Sequence, residues 1–205
     1  MNKSLIVVLL FSLMGCQLKP DLGELVQDLV VQTSYDEAVD FGTYLTYSMP
    51  TDTLGRVSGT SSDTLIVTNY AKQITAALLN NFNSRGFQRV DKSQDPDLGV
   101  AAYIVDDLDV FQSINYYNYP GYYYPSYYGY YGSFYYNYPV IQTYAYNTAV
   151  LVVELVDLKN KDSQGQLKVV WAAYMGDVLN SADPFGKSVE AVNQAFAQSP
   201  YLTRP

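Results

Sequence analysis

The chain has 205 residues, a net charge of −8, 22 tyrosines, one cysteine and no histidine. With no imidazole and a single thiol it cannot form an internal disulfide, and zinc sites built on His or Cys and Ser-His-Asp or Cys-His catalysis are excluded. The acidic balance removes the Lys/Arg attraction to phosphate on which nucleic-acid binding rests, so no nucleic-acid partner is expected, nor charge-driven adsorption to anionic lipid.

Residues 1–15 read as an export leader, with a start bearing Lys3, an apolar stretch from Leu5 to Met14 and then small Gly15. About ten apolar residues are too few to cross a bilayer of roughly 30 Å as a helix. Leu13-Met14-Gly15-Cys16 resembles the lipobox of bacterial lipoproteins. That resemblance implies cleavage before Cys16, a diacylglyceryl group on its thiol and acylation of the new amino terminus. Each buried acyl methylene contributes about 0.8 kcal/mol and stable anchoring takes more than one chain, a condition that several chains on one cysteine meet. In lipoproteins an Asp after the Cys marks inner-membrane retention. Gln17 stands there, so the expected location is the outer membrane, with the domain facing the periplasm. The bland alternative is a secretory leader with a Cys beside its cleavage site by chance.

Residues 16–28 read as a tether, and residues 29–200 as one domain long enough for a proper core. Leu29 to Thr33 is a first strand; Asp40 to Tyr47 is a turn and a second strand, with Asp40 capping or turning the chain before Tyr44. Thr51 to Ser62, rich in Thr, Ser, Asp and Gly, reads as a loop. Asp63 then caps a helix over Thr64 to Ser84, whose stripe is Val67, Tyr70, Ile74, Leu78 and Phe82, and Gly86 ends it. Phe87 to Val90 starts a short strand, and Asp97 to Val105 is apolar on both faces, hence a central, covered strand. Thr148 to Asp157 is another buried strand, Lys159 to Gln166 a hairpin loop, and Leu167 to Asp177 the returning strand, with Val169, Trp171, Ala173 and Met175 on one face. Asp183-Pro184 starts a last helix with Val189, Val192 and Phe196 inward, and Pro200 stops it. The order predicts an α+β domain: a mostly antiparallel sheet of about six strands, covered on one face by two helices, with a long Tyr-rich loop.

That loop is an insertion at residues 115–139, where Pro120, Pro125, Pro139, Gly121, Gly129 and Gly132 interrupt any strand or helix period. It has no charged residue and holds Tyr116, Tyr117, Tyr119, Tyr122, Tyr123, Tyr124, Tyr127, Tyr128, Tyr130, Tyr131, Tyr135, Tyr136 and Tyr138. Tyrosine combines contact area with a hydroxyl at low entropy cost, which favours it in binding loops. One reading is a contact surface for glycan, peptidoglycan, lipid headgroups or an envelope protein. The other is a low-complexity excursion, disordered or folded back on its own sheet. Tyr144 and Tyr146 lead out of the tract towards the long strand.

Candidate chemistry outside the tract is sparse. Asp95, Asp97, Asp106, Asp107 and Asp109 are hard oxygen donors, but no EF-hand glycine or closing Glu accompanies them, so strand-end acids explain them better than a metal site. Trp171 reads as core, and Lys168 and Lys187 lack the apolar setting that activates a lysine nucleophile. Gly129 to Gly132 has no Lys-Ser/Thr after it and is no phosphate cradle. No catalytic residue, metal or cofactor is therefore expected. The alternative is a carboxylate-dependent enzyme on envelope glycan, needing two acids about 5–9.5 Å apart among Asp97, Asp107 and Asp157. A third reading is a structural subunit of a lipoprotein assembly.

Tyr35-Asp36, Asp40-Phe41-x-x-Tyr44-x-Thr46-Tyr47, Gly86-Phe87, Asp95-Pro96-Asp97-Leu98-x-Val100, Val170-Trp171 and Phe196-x-x-x-Pro200 together resemble the DUF4136 family. The resemblance covers residues 29–200, the tyrosine tract being an unusual insertion. It implies a bacterial envelope lipoprotein of unassigned biochemical role, with no catalytic residue to carry over and with Asp, Tyr and Trp positions that serve structure. The expectation is a domain that binds or scaffolds, attached to the membrane through lipid on Cys16.

Overall fold

A computed structural model describes residues 30–57, 65–106, 149–160, 167–179 and 181–204, and the backbone of 134–135. The leader, Cys16, the tether, Asp63, Asp107, Asp109, Tyr144, Tyr146 and the tyrosine tract apart from the Phe134–Tyr135 backbone lie outside the described residues.

The strand-forming runs are the β-branched and apolar ones. β1 (Val30–Tyr35), β2 (Thr46–Ser48), β3 (Leu54–Val57), β4 (Leu65–Ile66), β5 (Gln88–Arg89), β6 (Leu98–Val105), β7 (Phe134–Tyr135), β8 (Val150–Asp157) and β9 (Leu167–Gly176) form one sheet. Its main path runs β1-β9-β8-β6-β2-β5. The long ladders, β1 with β9, β9 with β8 and β8 with β6, are antiparallel, which is why the sheet is mostly antiparallel by length. Shorter parallel pairs attach β2 and β3 to β6, β5 to β2 and β7 to β9. The β6–β8 register sets the two ends of the sheet: Leu98 opposite Asp157 at the lower end, and Val105 opposite Val150 at the upper.

Helix α1 (Asn69–Ser84) descends from the upper end with Tyr70, Ile74, Leu78 and Phe82 buried. Helix α2 (Pro184–Ala197) begins at Asp183, whose side chain accepts from Gly186 N at 3.0 Å, and buries Val192 and Phe196. Both pack on the face that carries Val100, Ala102, Leu151, Val153, Trp171 and Ala173. Trp171 is fully buried 5.5 Å from the Phe196 ring and donates its indole N–H to Ser199 Oγ at 2.9 Å. At the lower end Gly86 takes a φ of +85°, the left-handed conformation that favours glycine, and a Cβ there would also crowd Arg204 Cβ at 3.2 Å.

Three boundaries differ from the sequence reading. α1 starts at Asn69 with Thr68 as its N-cap; Leu65–Ile66 is a strand, and Val67 is 61% exposed rather than part of the stripe. Within the expected loop Thr51–Ser62 lies β3, because Gly55 and Arg56 find open backbone partners along β6. Before β2 the chain makes a 3-10 turn, Phe41–Thr43, capped by Asp40, which accepts from Gly42 N at 3.0 Å.

Candidate functional site

The acids singled out in the sequence come together in part, at the lower end of the sheet. Asp157, 5% exposed, ends β8, and its Oδ2 accepts from the Tyr44 hydroxyl at 2.7 Å and from Asn160 Nδ2 at 2.9 Å. Its Oδ1 accepts the backbone N–H groups of Lys159 and Asn160, at 3.0 and 2.8 Å. Asp97, just before β6, accepts from Leu45 N at 2.7 Å and Thr46 N at 3.1 Å, while Thr46 Oγ1 accepts from Asp97 N at 3.0 Å. Lys159 Nζ stands 3.7 Å from Asp97 Oδ1 and donates to Thr43 O at 3.3 Å.

This network ties the 3-10 turn and β2 to the ends of β6 and β8. Burial pushes the Asp97 carboxyl up, but the Leu45 and Thr46 N–H groups and the Lys159 charge outweigh it, so its pKa lies below 3.8. Burial, then the hydrogen bond to the Asp157 carboxylate, raises the Tyr44 phenol above its ordinary value of 10. Burial pushes Tyr47 up to about 12. Both carboxylates are thus occupied by the chain's own donors, which is how a structural latch is built.

Among the described residues the other candidates do not assemble into a site. Asp95 is exposed at φ 49°, and Asp106 takes the Arg56 guanidinium Nε at 2.7 Å. Among the described residues no three His, Cys, Asp or Glu side chains are placed to hold a metal. Lys168 is ion-paired with Asp36, whose pKa its hydrogen bond lowers, and Lys187 with Glu190 at 2.9 Å. Trp171 is core, as its alternation with Val169 and Ala173 predicts. Of the tyrosine tract, Phe134 and Tyr135 pair by backbone with Leu167 and Lys168 of β9.

Two features escaped the sequence reading. Arg85, at the C-cap of α1, donates to the carbonyls of Ser199 at 2.7 Å, of Leu202 at 2.9 Å and of Phe196, and its guanidinium lies 5.3 Å from the Phe196 ring centre. It closes the lower end of α2 onto α1, cation against the negative helix end. Nothing local to Arg85 announces this, since its partners lie over a hundred residues away.

The second feature is Glu154, 1% exposed on the sheet face opposite the helices, accepting from the Tyr103 hydroxyl at 3.0 Å. A carboxylate inside the otherwise apolar run Val150–Val156 was the available signal. Ladder register puts it in one cross-strand row, Ala101-Glu154-Ala172-Ser34. Tyr103, Val152 and Tyr174 form the row above it. Ser34 Oγ in the small-residue row is buried without a hydrogen-bond partner.

Fold and site define a class: an α+β domain of one sheet and two helices, whose described acids Asp97 and Asp157 tie the 3-10 turn and β2 to the ends of β6 and β8. The chain matches the model of a domain of unknown function, DUF4136, over residues 31–201, and belongs to that family. A DUF4136 family protein from Bacteroides thetaiotaomicron VPI-5482 is 33% identical with a TM-score of 0.68, covering 85% of this chain and 97% of its own. The PelC dodecamer from Paraburkholderia phytofirmans is a looser likeness, at 12% identity and TM-score 0.41 over 87% of this chain and 100% of that one. A PDZ domain protein from Parabacteroides distasonis ATCC 8503 is similarly loose, at 17% and 0.41, with 85% of this chain and 36% of that one covered. Comparison with curated proteins found no match.

Proposed function

We propose that the chain is a lipid-anchored envelope protein of the outer membrane, whose periplasm-facing domain binds or scaffolds a partner without catalysing a reaction. The observation that carries the reading is the run Leu13-Met14-Gly15-Cys16 at the end of an apolar leader, on the chain's single cysteine. The tether to residue 29 then delivers β1 to the outer edge of β9. No helix of the described residues is long and apolar enough to cross a membrane, so attachment by acyl chains is consistent with this domain. The non-catalytic part draws support from Asp97 and Asp157, the two described acids of the enzyme alternative, which are occupied by Tyr44, Leu45, Thr46 and Asn160. The tyrosines of residues 115–139 are the contact surface in this reading, towards an envelope protein or glycan.

Fractionation of cells carrying wild type or Cys16→Ser tests the anchor. Wild type is expected in the membrane pellet with an acyl-sized mass increment on the Cys16 peptide, and the variant in the soluble fraction or as uncleaved precursor. An unmodified Cys16 peptide from soluble wild-type protein would reject the proposal. Crosslinking in intact cells, followed by identification of the captured molecule, tests the partner.

A further inference from the structure

The two ends of the sheet differ in what they expose. Among the described residues the exposed large hydrophobic side chains are Tyr35, Leu45, Leu65, Val67 and Phe185. The last three gather at the upper end. Leu65 of β4 stands opposite Gly55 of β3, which stands opposite Tyr103 in the upper half of β6. Val67 follows on the way into the first turn of α1. Phe185 lies in the first turn of α2, its ring edge-on to Tyr70 with centres 5.6 Å apart. The Tyr70 hydroxyl and Ser188 Oγ, 2.8 Å apart, join the two helix starts, so these side chains stand on a packed frame.

The lower end is different. Tyr35 is stacked on Tyr201 with ring centres 3.7 Å apart, so one of its faces is already covered. Leu45 gives its backbone N–H to the Asp97 carboxylate, and Asp36, Asp40 and Asp157 stand at the same end. Lipid phosphates repel such carboxylates, and a headgroup layer would strip their water. At the upper end the first turns of both helices hold no acid, and each carries a lysine, Lys72 and Lys187. Of the described acids there, Asp106 is paired with Arg56 and Asp183 caps Gly186, with Asp177 the third.

Chain direction says which surface meets the upper end. β1 runs antiparallel to β9 with Val30 opposite Gly176, so the chain enters the domain at that end. Residues 16–29 give a reach of at most about 50 Å between Cys16 and Val30. Acyl chains on Cys16 would hold the upper end close to the bilayer, where weak apolar contacts act as intramolecular ones. We propose that the upper end of the domain rests on the phospholipid surface that holds Cys16, with Leu65, Val67 and Phe185 entering its headgroup layer. The lower end, with the Asp97 and Asp157 latch, then faces away from that membrane. This inference rests on the lipid-anchor reading and adds an orientation to it.

The test places the photoreactive p-benzoylphenylalanine singly at Val67, Phe185 or Leu45 of the full chain in intact cells. All three side chains are exposed, so the fold should tolerate each replacement. After irradiation the purified protein is analysed by mass for adducts and for the state of the Cys16 peptide. Positions 67 and 185 are expected to carry phospholipid several-fold more often than position 45. Acylated Cys16 with no lipid at 67 and 185, or with as much at 45, overturns the orientation and leaves the anchor standing. Adducts at 67 and 185 to a second copy, to another protein or to this chain itself, in place of lipid, overturn it as well. An unacylated Cys16 peptide ends the anchor reading, and this inference with it. Should the Phe185 variant fail to fold through loss of its Tyr70 contact, position 67 against position 45 still decides.

Discussion

Arg85 and Asp97 show how a charged side chain can serve the fold rather than a reaction. Arg85 spends its fork on three carbonyls at the end of α2 and the following turn. Arg85→Ala leaves those acceptors without their donor and is expected to cost roughly 2–4 kcal/mol in urea unfolding. Arg85→Lys should recover less than half, because an ammonium lacks the planar fork. Asp97 makes a pH-dependent contribution. Its folded pKa lies below 3.8, so the stabilisation is complete above the ordinary carboxylate range and is lost as pH falls through the folded value. The stability gap between wild type and Asp97→Asn should therefore be widest near neutral pH and shrink below about pH 4. A gap independent of pH between 7 and 3 would show that Asp97 acts through shape alone.

At the scale of the element, the helix stripe separates a true core position from a false one. Phe82 is fully buried among Tyr47, Phe87 and Phe196, with ring centres 5.0, 6.1 and 4.9 Å away. Phe82→Ala is expected to cost about 3–5 kcal/mol by chemical denaturation. Val67 fits the same three- and four-residue spacing but precedes the helix, exposed, so Val67→Ala should stay within about 0.5 kcal/mol. Spacing alone cannot tell the two apart, since periodicity marks a face and not where the first turn closes. Thr68 rather than Asp63 became the cap because Leu65–Ile66 was taken into pairing with β3.

Across the whole molecule a single cluster joins both helices to β2, β3, β6, β8 and β9. Trp171, the chain's one tryptophan, sits inside it, so its fluorescence reports the helix–sheet interface. Unfolding followed by that fluorescence and by far-UV circular dichroism should give coincident curves. Separated midpoints would mean that the sheet survives loss of the helices.

Local chemistry was enough for much of this architecture. β6 is apolar on both faces and β8 nearly so, Glu154 being the exception, which marks both as inner strands of the sheet; α2 has its Asp-Pro start; Gly86 supplies the left-handed residue that ends α1. The processing signal proposed for Leu13-Met14-Gly15-Cys16 is equally local, because such a signal is read along the chain and needs no fold. What linear spacing does not contain is pairing at a distance. Whether Gly55 would find Tyr103, whether Asp157 would meet Tyr44 across more than a hundred residues, and whether Arg85 would close on the turn at Ser199 all depend on which edges and ends the packed core brings together. Glu154 belongs to both accounts: its oddity is visible in the run Val150–Val156, but its two alanine neighbours and Tyr103 exist only once the ladders have set their register.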